Sequence, residues 1–161
     1  MSDLEIKADV IEVVESGVFK TKHVFNSASG SLGILEMKTG RSEGLFTATD
    51  GKEYTFKKTS AWKSNYELKE GSYLTAAAMS LKALSRAFKI DFQGMGYGLL
   101  PGGSKMRSWK VRNTSNQELC EIQPRGAFKA GARILIRADI PVNLMVFCYC
   151  LVSKRWKEQS S

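Results

Sequence analysis

A chain of 161 residues has the usual size of one folded domain, and 43% hydrophobic with 25% charged residues is an ordinary globular composition. These values exclude a disordered, collagen-like or low-complexity chain, and we expect one domain over residues 1–161. The formal net charge of +8 is concentrated in residues 81–161, which carry 14 Lys or Arg against 5 Asp or Glu. This asymmetry is compatible with nucleic acid or acidic lipid as a partner, although a solvated basic surface is the more ordinary explanation.

Apolar residues in alternation, separated by glycine turns, predict strands through the first half of the chain. A strong hairpin signal is Asp50-Gly51 between the runs 45–48 and 53–57, because both residues of such a turn must reach positive φ. Weaker alternating runs occur at residues 4–14, 18–25, 31–38, 65–68 and 73–79.

The segment 76–87 is ambiguous, because its alanines favour a helix while its neighbours favour strands. Further strands are predicted at residues 88–92, 96–100, 108–112, 118–123 and 133–137. The glycine-rich run 94–103 lacks the Gly-Lys-Ser/Thr of a phosphate-binding loop and follows a strand pattern, so it predicts hairpin turns.

Residues 142–152 form an almost wholly apolar run in which only Asn143 is plainly polar. The run is too short to cross a membrane, which takes about 20 apolar residues. Asp139 and Pro141 before it and Lys154 and Arg155 after it are typical of the two ends of a helix. A strand is the alternative, but the length and these end signals favour a helix.

A helix that is apolar on every side must be surrounded by protein, because any face left against water would lose its burial energy. A sheet closed around it satisfies this need and also removes the exposed strand edges. The sequence therefore predicts a mainly β fold, a closed antiparallel barrel of about twelve strands around a central hydrophobic C-terminal helix.

The order of elements in the second half resembles the tubby C-terminal-like superfamily, which includes tubby-like proteins, phospholipid scramblases and LURP-one-related proteins. The resemblance rests on the strand 108–112, the turn 113–116, the strands 118–122 and 132–137, and the apolar helix followed by Lys154-Arg155-Trp156. It implies a twelve-stranded barrel threaded by that helix. An acidic calcium loop and a cysteine-rich palmitoylation segment, which scramblases have, are not seen in this sequence.

Residue types for catalysis or metal binding are sparse. Cys120, Cys148 and Cys150 are an odd number of thiols in apolar surroundings, which predicts buried free cysteines and no metal site. His23 is the single histidine and has no nucleophile motif near it. Residues 1–7 contain two acidic residues and do not resemble a signal peptide. We therefore expect a non-enzymatic cytoplasmic protein without a cofactor, associated peripherally with membranes.

Basic residues that alternate with buried ones are the remaining functional signal. If Trp109, Val111, Ile134 and Ile136 face the core, four cations share the outer face of the sheet, and these are Lys110, Arg112, Arg133 and Arg137. We interpret them as a site for an anionic ligand, in the first place a phosphoinositide-like lipid headgroup at a membrane surface. The alternatives are a basic protein associated with nucleic acid and a protein with no lipid role.

Overall fold

A computed structural model describes residues 5–6, 10–59, 65–81, 86–102, 107–126 and 130–159. It confirms the predicted architecture: twelve antiparallel strands form a closed barrel, and one helix follows them. The strands are β1 (Glu5–Ile6), β2 (Val10–Ser16), β3 (Thr21–Ser27), β4 (Gly30–Met37), β5 (Glu43–Ala48), β6 (Glu53–Lys58), β7 (Asn65–Glu70), β8 (Tyr73–Ser80), β9 (Phe88–Phe92), β10 (Met95–Pro101), β11 (Trp109–Asn113), β12 (Glu118–Pro124), β13 (Gly131–Ile136) and β14 (Ile140–Pro141), and the helix is α1 (Val142–Gln159).

The barrel is a simple meander in which each strand from β2 to β13 pairs with its neighbours in sequence. It closes between β13 and β2, where Arg133 lies opposite Glu12. The short strands β1 and β14 pair with each other outside this ring. Because every connection reverses the chain, alternate connections lie at the same end of the barrel.

Helix α1 passes through the barrel, and each of its residues from Val142 to Ser153 is buried. Its side chains contact different parts of the wall: Phe147 packs on Phe56 of β6, with ring centroids 5.9 Å apart, and Tyr149 packs on Phe25 of β3 at 5.2 Å. The predicted central helix is thus confirmed. It continues past residue 152 to Gln159, and Pro141 ends β14 rather than opening the helix.

The strand faces follow the predicted alternation in most places. Trp109, Val111 and Ile134 are buried, whereas Ile136 is only partly buried. In the 45–57 hairpin, Gly51 alone has a positive φ, so the expectation of a positive φ at Asp50 was wrong. The tight turn places Ala48 and Gly51 in a hydrogen bond, which needs only one left-handed residue.

Three other predictions hold over only part of their ranges. The run 18–25 contains β3 only from Thr21 onward, and its first residues form an exposed turn. In the 94–103 run, Gly94 has a positive φ beside the turn, but residues 95–101 form β10. The ambiguous segment 76–87 is strand as far as Ser80, and its residues 82–85 lie outside the described part.

All three cysteines are free and fully buried, with Cys148 and Cys150 on α1 and Cys120 on β12. Burial raises the pKa of each thiol, so the reactive thiolate is scarce at neutral pH. We expect an aqueous disulfide reagent to label no cysteine in the native protein and all three after denaturation. Counting released thiolate by absorbance checks this, and rapid native labelling of Cys148 and Cys150 would place the helix at the surface.

Candidate functional site

The two ends of the barrel are defined by the direction of α1. The helix enters from the end that holds the connections after β3, β5, β7, β9, β11 and β13, which we call the entry end. It leaves at the opposite end, the exit end, which holds the connections after β2, β4, β6, β8, β10 and β12. There the Lys154 ammonium donates a hydrogen bond to the Gly40 carbonyl (2.8 Å), and Arg155 donates one to the Ser80 hydroxyl (3.0 Å).

The exit end is strongly basic and the entry end is neutral. The described residues of the exit-end connections and of the helix from Ser153 onward include nine Lys or Arg and one acid, Glu158. The nine cations are Lys20, Lys38, Arg41, Arg86, Arg107, Arg125, Lys154, Arg155 and Lys157. The described residues of the entry-end connections include two cations and two acids, which are Lys52, Arg137, Asp50 and Asp139.

Three glutamates on adjacent strand ends pair with some of these cations. Glu36 lies 3.1 Å from Lys20, Glu43 lies 3.3 Å from Lys38, and Glu15 lies 2.5 Å from Arg41. Glu12 also lies 3.6 Å from Arg125. Even after these four pairs are counted, the exit end keeps an excess of positive charge. The potential of the barrel is therefore polarised along its axis.

A cleft of about 290 Å³ opens at the exit end between the end of α1 and the wall formed by β12 and β13. Its charged and aromatic lining is Glu15, Arg41, Arg107, Trp156 and Lys157. Gly131 forms part of the wall with φ +115°, and a Cβ there would lie 2.0 Å from the Val13 carbonyl oxygen. The glycine therefore lets β13 approach β2 closely beside the cleft.

Arg41 forms an anchored side of this cleft. Its guanidinium donates hydrogen bonds to the Glu15 carboxylate and to the Ser153 hydroxyl of α1. Its backbone φ of 59° is left-handed, a conformation that costs free energy for a non-glycine residue. The two side-chain bonds offset that cost, and they tie the β4–β5 connection to the helix.

Arg107 and Trp156 form the rim of the cleft. The Trp156 indole N–H donates a hydrogen bond to the Arg107 carbonyl (2.8 Å), and the Arg107 guanidinium lies 5.7 Å from the centre of the indole ring. Stacking on an aromatic face restricts the guanidinium without removing its charge. Arg107 and Lys157 are both exposed, so the rim presents positive charge to solvent.

Beneath the cleft lies a buried polar network around His23. Its Nδ1 is 2.6 Å from the Tyr149 hydroxyl, its Nε2 is 2.8 Å from the Thr21 hydroxyl, and its Nδ1 is 3.8 Å from Glu15. Burial lowers the pKa of His23 to about 4 and outweighs the opposing effect of Glu15, while Arg41 lowers the pKa further. The imidazole is neutral at pH 7, and the network stabilises the barrel end without adding to its charge.

The four cations predicted from the sequence lie on β11 and β13 or directly after them. Lys110 and Arg137 meet at Glu118, at 3.4 and 3.2 Å, and Arg137 also reaches Glu121 at 3.4 Å. Arg133 is 3.0 Å from Glu12, and Arg112 donates a hydrogen bond to Asn116. The structure thus brings Lys110 and Arg137 together at one glutamate. Of the four predicted cations, all but Arg112 form ion pairs with glutamates in the described part of the chain.

Glu121 shows that this outer face is an ion-pair network. Hydrogen bonds from Gln123 and then from Arg137 hold the pKa of Glu121 below its usual range, and burial opposes this only in part. Its negative charge is therefore stabilised next to the predicted cations. Charge pairing of this kind leaves less positive potential for an external anion.

A second cleft of about 400 Å³ lies against β7, β8, β9 and β10. Its charged lining residues are Lys89, Glu67 and Asp91, so acids outnumber cations there. It does not suit an anionic ligand. The cleft at the exit end is the better candidate.

Sequence reasoning missed the residues of the exit-end cleft because it assigned charge by strand faces. Arg41, Arg107 and Lys157 lie in connections or at the helix end, far apart in sequence. The sequence does contain a signal for this site, because basic and neutral connections alternate along the meander. In a meander, alternate connections lie at the same end of the barrel, so the basic ones collect at one end.

Comparison of the chain with protein-family models, curated proteins and solved structures found no match in any of the three. In the described ranges, α1 is not apolar over a long enough stretch to span a bilayer, and no other helix is present there. The same ranges contain no group of three or more His, Cys, Asp or Glu side chains arranged to hold a metal ion.

Proposed function

We propose that this chain is a non-enzymatic binding module for anionic lipid headgroups at a membrane surface, and that its exit end makes the contact. The observation that carries the proposal is the difference in charge between the two ends of the barrel. Among the described residues, the exit-end connections and the helix from Ser153 onward hold nine cations and one acid, and the entry-end connections hold two of each. An anionic surface attracts such a molecule and orients it with the basic end toward the charge.

Within the exit end, the cleft rim at Arg107 is preferred over the predicted outer face for a geometric reason. Lys110, Arg133 and Arg137 each lie within 3.4 Å of a glutamate oxygen on the same face. Arg107 instead stacks on Trp156 at the rim of a cleft. A phosphate placed there would meet cations without first displacing a carboxylate from Arg107.

Electrostatic attraction alone would give weak binding. Each Lys or Arg near an anionic bilayer contributes about 1 kcal/mol, so four in contact contribute roughly 4 kcal/mol, which corresponds to millimolar affinity. A shaped site must add to this if one headgroup is to be preferred. The exit-end cleft, at about 290 Å³, is near the lower size limit of ligand pockets and has cations at its rim.

The proposal predicts that reversing two charges at the cleft weakens membrane binding. In Arg107→Glu/Lys157→Glu, two attractive charges become repulsive, and we expect the vesicle partition coefficient to fall about thirtyfold or more at low ionic strength. The measurement is co-sedimentation with vesicles that contain a multiply phosphorylated phosphoinositide, beside vesicles of equal charge made with phosphatidylserine. The wild-type protein should prefer the phosphoinositide, and the variant should lose that preference.

The matched control is Lys110→Glu/Arg133→Glu, which changes the net charge equally on the outer face. If this control loses the phosphoinositide preference and the cleft variant keeps it, the outer-face site predicted from the sequence is correct and the exit end is wrong. Filter binding to oligonucleotides at two salt concentrations tests the other class of partner. Tight, salt-sensitive oligonucleotide binding without any lipid preference would replace the lipid proposal.

A further inference from the structure

Two neighbouring hydrophobic side chains project from the exit end in the connection between β2 and β3. Val18 is 87% exposed and Phe19 is 83% exposed, the largest values for large hydrophobic residues in the described part of the chain. Side chains of this kind have a higher free energy in water than in an apolar phase, so covering them is favourable. We call Val18 and Phe19 the apolar tip.

The apolar tip is held in place by the turn that carries it. Gly17 has φ +98°, and a Cβ at this position would lie 2.4 Å from the Lys20 carbonyl oxygen, so the turn is tight and depends on glycine. The Phe19 carbonyl accepts a hydrogen bond of 2.7 Å from the Thr39 hydroxyl in the next exit-end connection. The tip is therefore tied to a second turn while its side chains remain in solvent.

Cations lie beside the apolar tip. Lys20 follows Phe19 directly, and Lys38 and Arg41 belong to the connection that contains Thr39. Each of these three cations also pairs with a glutamate within 3.3 Å, so lipid headgroups would share them with those carboxylates. Hydrophobic side chains that protrude among Lys and Arg are typical of proteins that dip into the interface of an anionic bilayer. In that arrangement the cations contact headgroups while the apolar groups pass below them.

Charge also selects between possible occupants of the apolar tip. A second copy of this chain docked tip to tip would bring two strongly basic ends together, which costs free energy. An anionic bilayer offers negative charge at its surface and an apolar layer just beneath it, so it complements both features. The observations therefore favour a lipid surface over self-association.

We propose that Val18 and Phe19 insert into the interfacial region of an anionic bilayer and hold the barrel with its exit end against the membrane. This inference rests on the proposed function, because the basic exit end must first bring the tip to the surface. Inserting one valine and one phenylalanine strengthens binding by roughly tenfold to several hundredfold, depending on depth. The contribution of these two side chains to binding should also persist at salt concentrations that screen the cations.

The first test removes the apolar surface without changing charge. Val18→Ser/Phe19→Ser should lower the partition coefficient onto phosphatidylserine-containing vesicles at least tenfold. The same fold loss should persist at high salt, where the cations are screened. The matched control is Tyr73→Ser/Met95→Ser, which removes two exposed side chains, 61% and 63% accessible, from strand ends near the entry end. The control should bind like the wild type.

The second test locates the apolar tip directly. A polarity-sensitive dye is attached to Val18→Cys or, as a control, to Met95→Cys, and the three native cysteines are buried and should not react. On addition of anionic vesicles, emission from position 18 should shift to the blue and be quenched by lipids brominated in their acyl chains. Emission from position 95 should remain that of a dye in water.

The outcomes separate this inference from the proposed function. Unchanged binding of the serine variant, with the dye at position 18 still in water, overturns insertion while the charge-based proposal survives. Vesicle binding that is insensitive to Arg107→Glu/Lys157→Glu overturns the exit-end contact itself. Complete absence of vesicle binding by the wild type overturns both. A dimer that forms without vesicles and dissociates in the serine variant overturns insertion.

Discussion

Phe147→Asp is expected to yield a protein that does not fold. Phe147 lies at the middle of the buried part of α1, residues 142–153, is 0% exposed and packs against Phe56 on the barrel wall. Removing a buried phenylalanine costs about 3–5 kcal/mol, and an unpaired buried carboxylate adds several more. Together these losses are of the order of the whole stability of a domain, about 5–15 kcal/mol. Circular dichroism and urea titration should show no cooperative unfolding transition.

Two comparisons make this test specific for a central helix. Met95→Asp places the same charge at a position that is 63% exposed, and it should change the free energy of unfolding by less than about 1 kcal/mol. A chain truncated after Ile140 lacks the whole helix and should also fail to fold. A truncated chain that unfolds cooperatively would show that the barrel does not need α1.

The second large effect is a loss of stability in mild acid that depends on His23. Its pKa in the folded protein is lowered to about 4 by burial, whereas an unfolded histidine titrates near 6.5. Below pH 6.5 the unfolded state binds a proton that the folded state excludes. The stabilising contribution is therefore complete above that pH and is lost as the pH falls toward 4. Between pH 7.5 and 4.5 the expected loss is about 2–3 kcal/mol.

The measurement is the free energy of unfolding in urea at pH 7.5 and pH 4.5, for the wild type and for His23→Gln. Acid also protonates carboxylates elsewhere in the protein, and this change is largely shared by the two proteins. The variant is expected to be less stable at pH 7.5, because Tyr149 and Thr21 lose an imidazole partner. Its stability should then fall by about 2–3 kcal/mol less than that of the wild type. Parallel pH profiles would show that His23 is not buried as a neutral group.

The architecture was predictable because one segment constrains the rest. Residues 142–152 have no polar face, so burial on all sides was the only stable arrangement, and a closed sheet was the simplest means of providing it. Alternation at Phe88, Ile90 and Phe92 then fixed the inward face of a strand. These are local patterns with large burial energies, and they were confirmed.

The turn at residues 17–20 was less predictable. Val18 and Phe19 are good strand formers, and pattern alone extends β3 back to them. Gly17 marked the turn, but sequence could not show that the chain would stay outside the sheet until Thr21. Two hydrophobic residues in a turn have no role in the core, and they break the usual rule that connections are polar.

The charged surfaces depend on contacts that local sequence does not encode. Glu15 and Arg41 are 26 positions apart, and Glu12 and Arg133 are 121 apart. Only the barrel closure brings the second pair together across β2 and β13. The sign of each charge can be read from the sequence. The ion pairs on the outer face and the excess of positive charge at the exit end follow from the topology of the barrel.

The most direct test of the account is to find which surface of the barrel faces the lipid. Backbone amide signals can be recorded by NMR on anionic bicelles that carry a spin label at the headgroup. Amides in the exit-end connections 17–20 and 38–42 should lose intensity, while those at 49–52 and 114–117 should keep it. Strongest broadening at residues 110–112 and 133–137, or at the entry end, would contradict binding through the exit end.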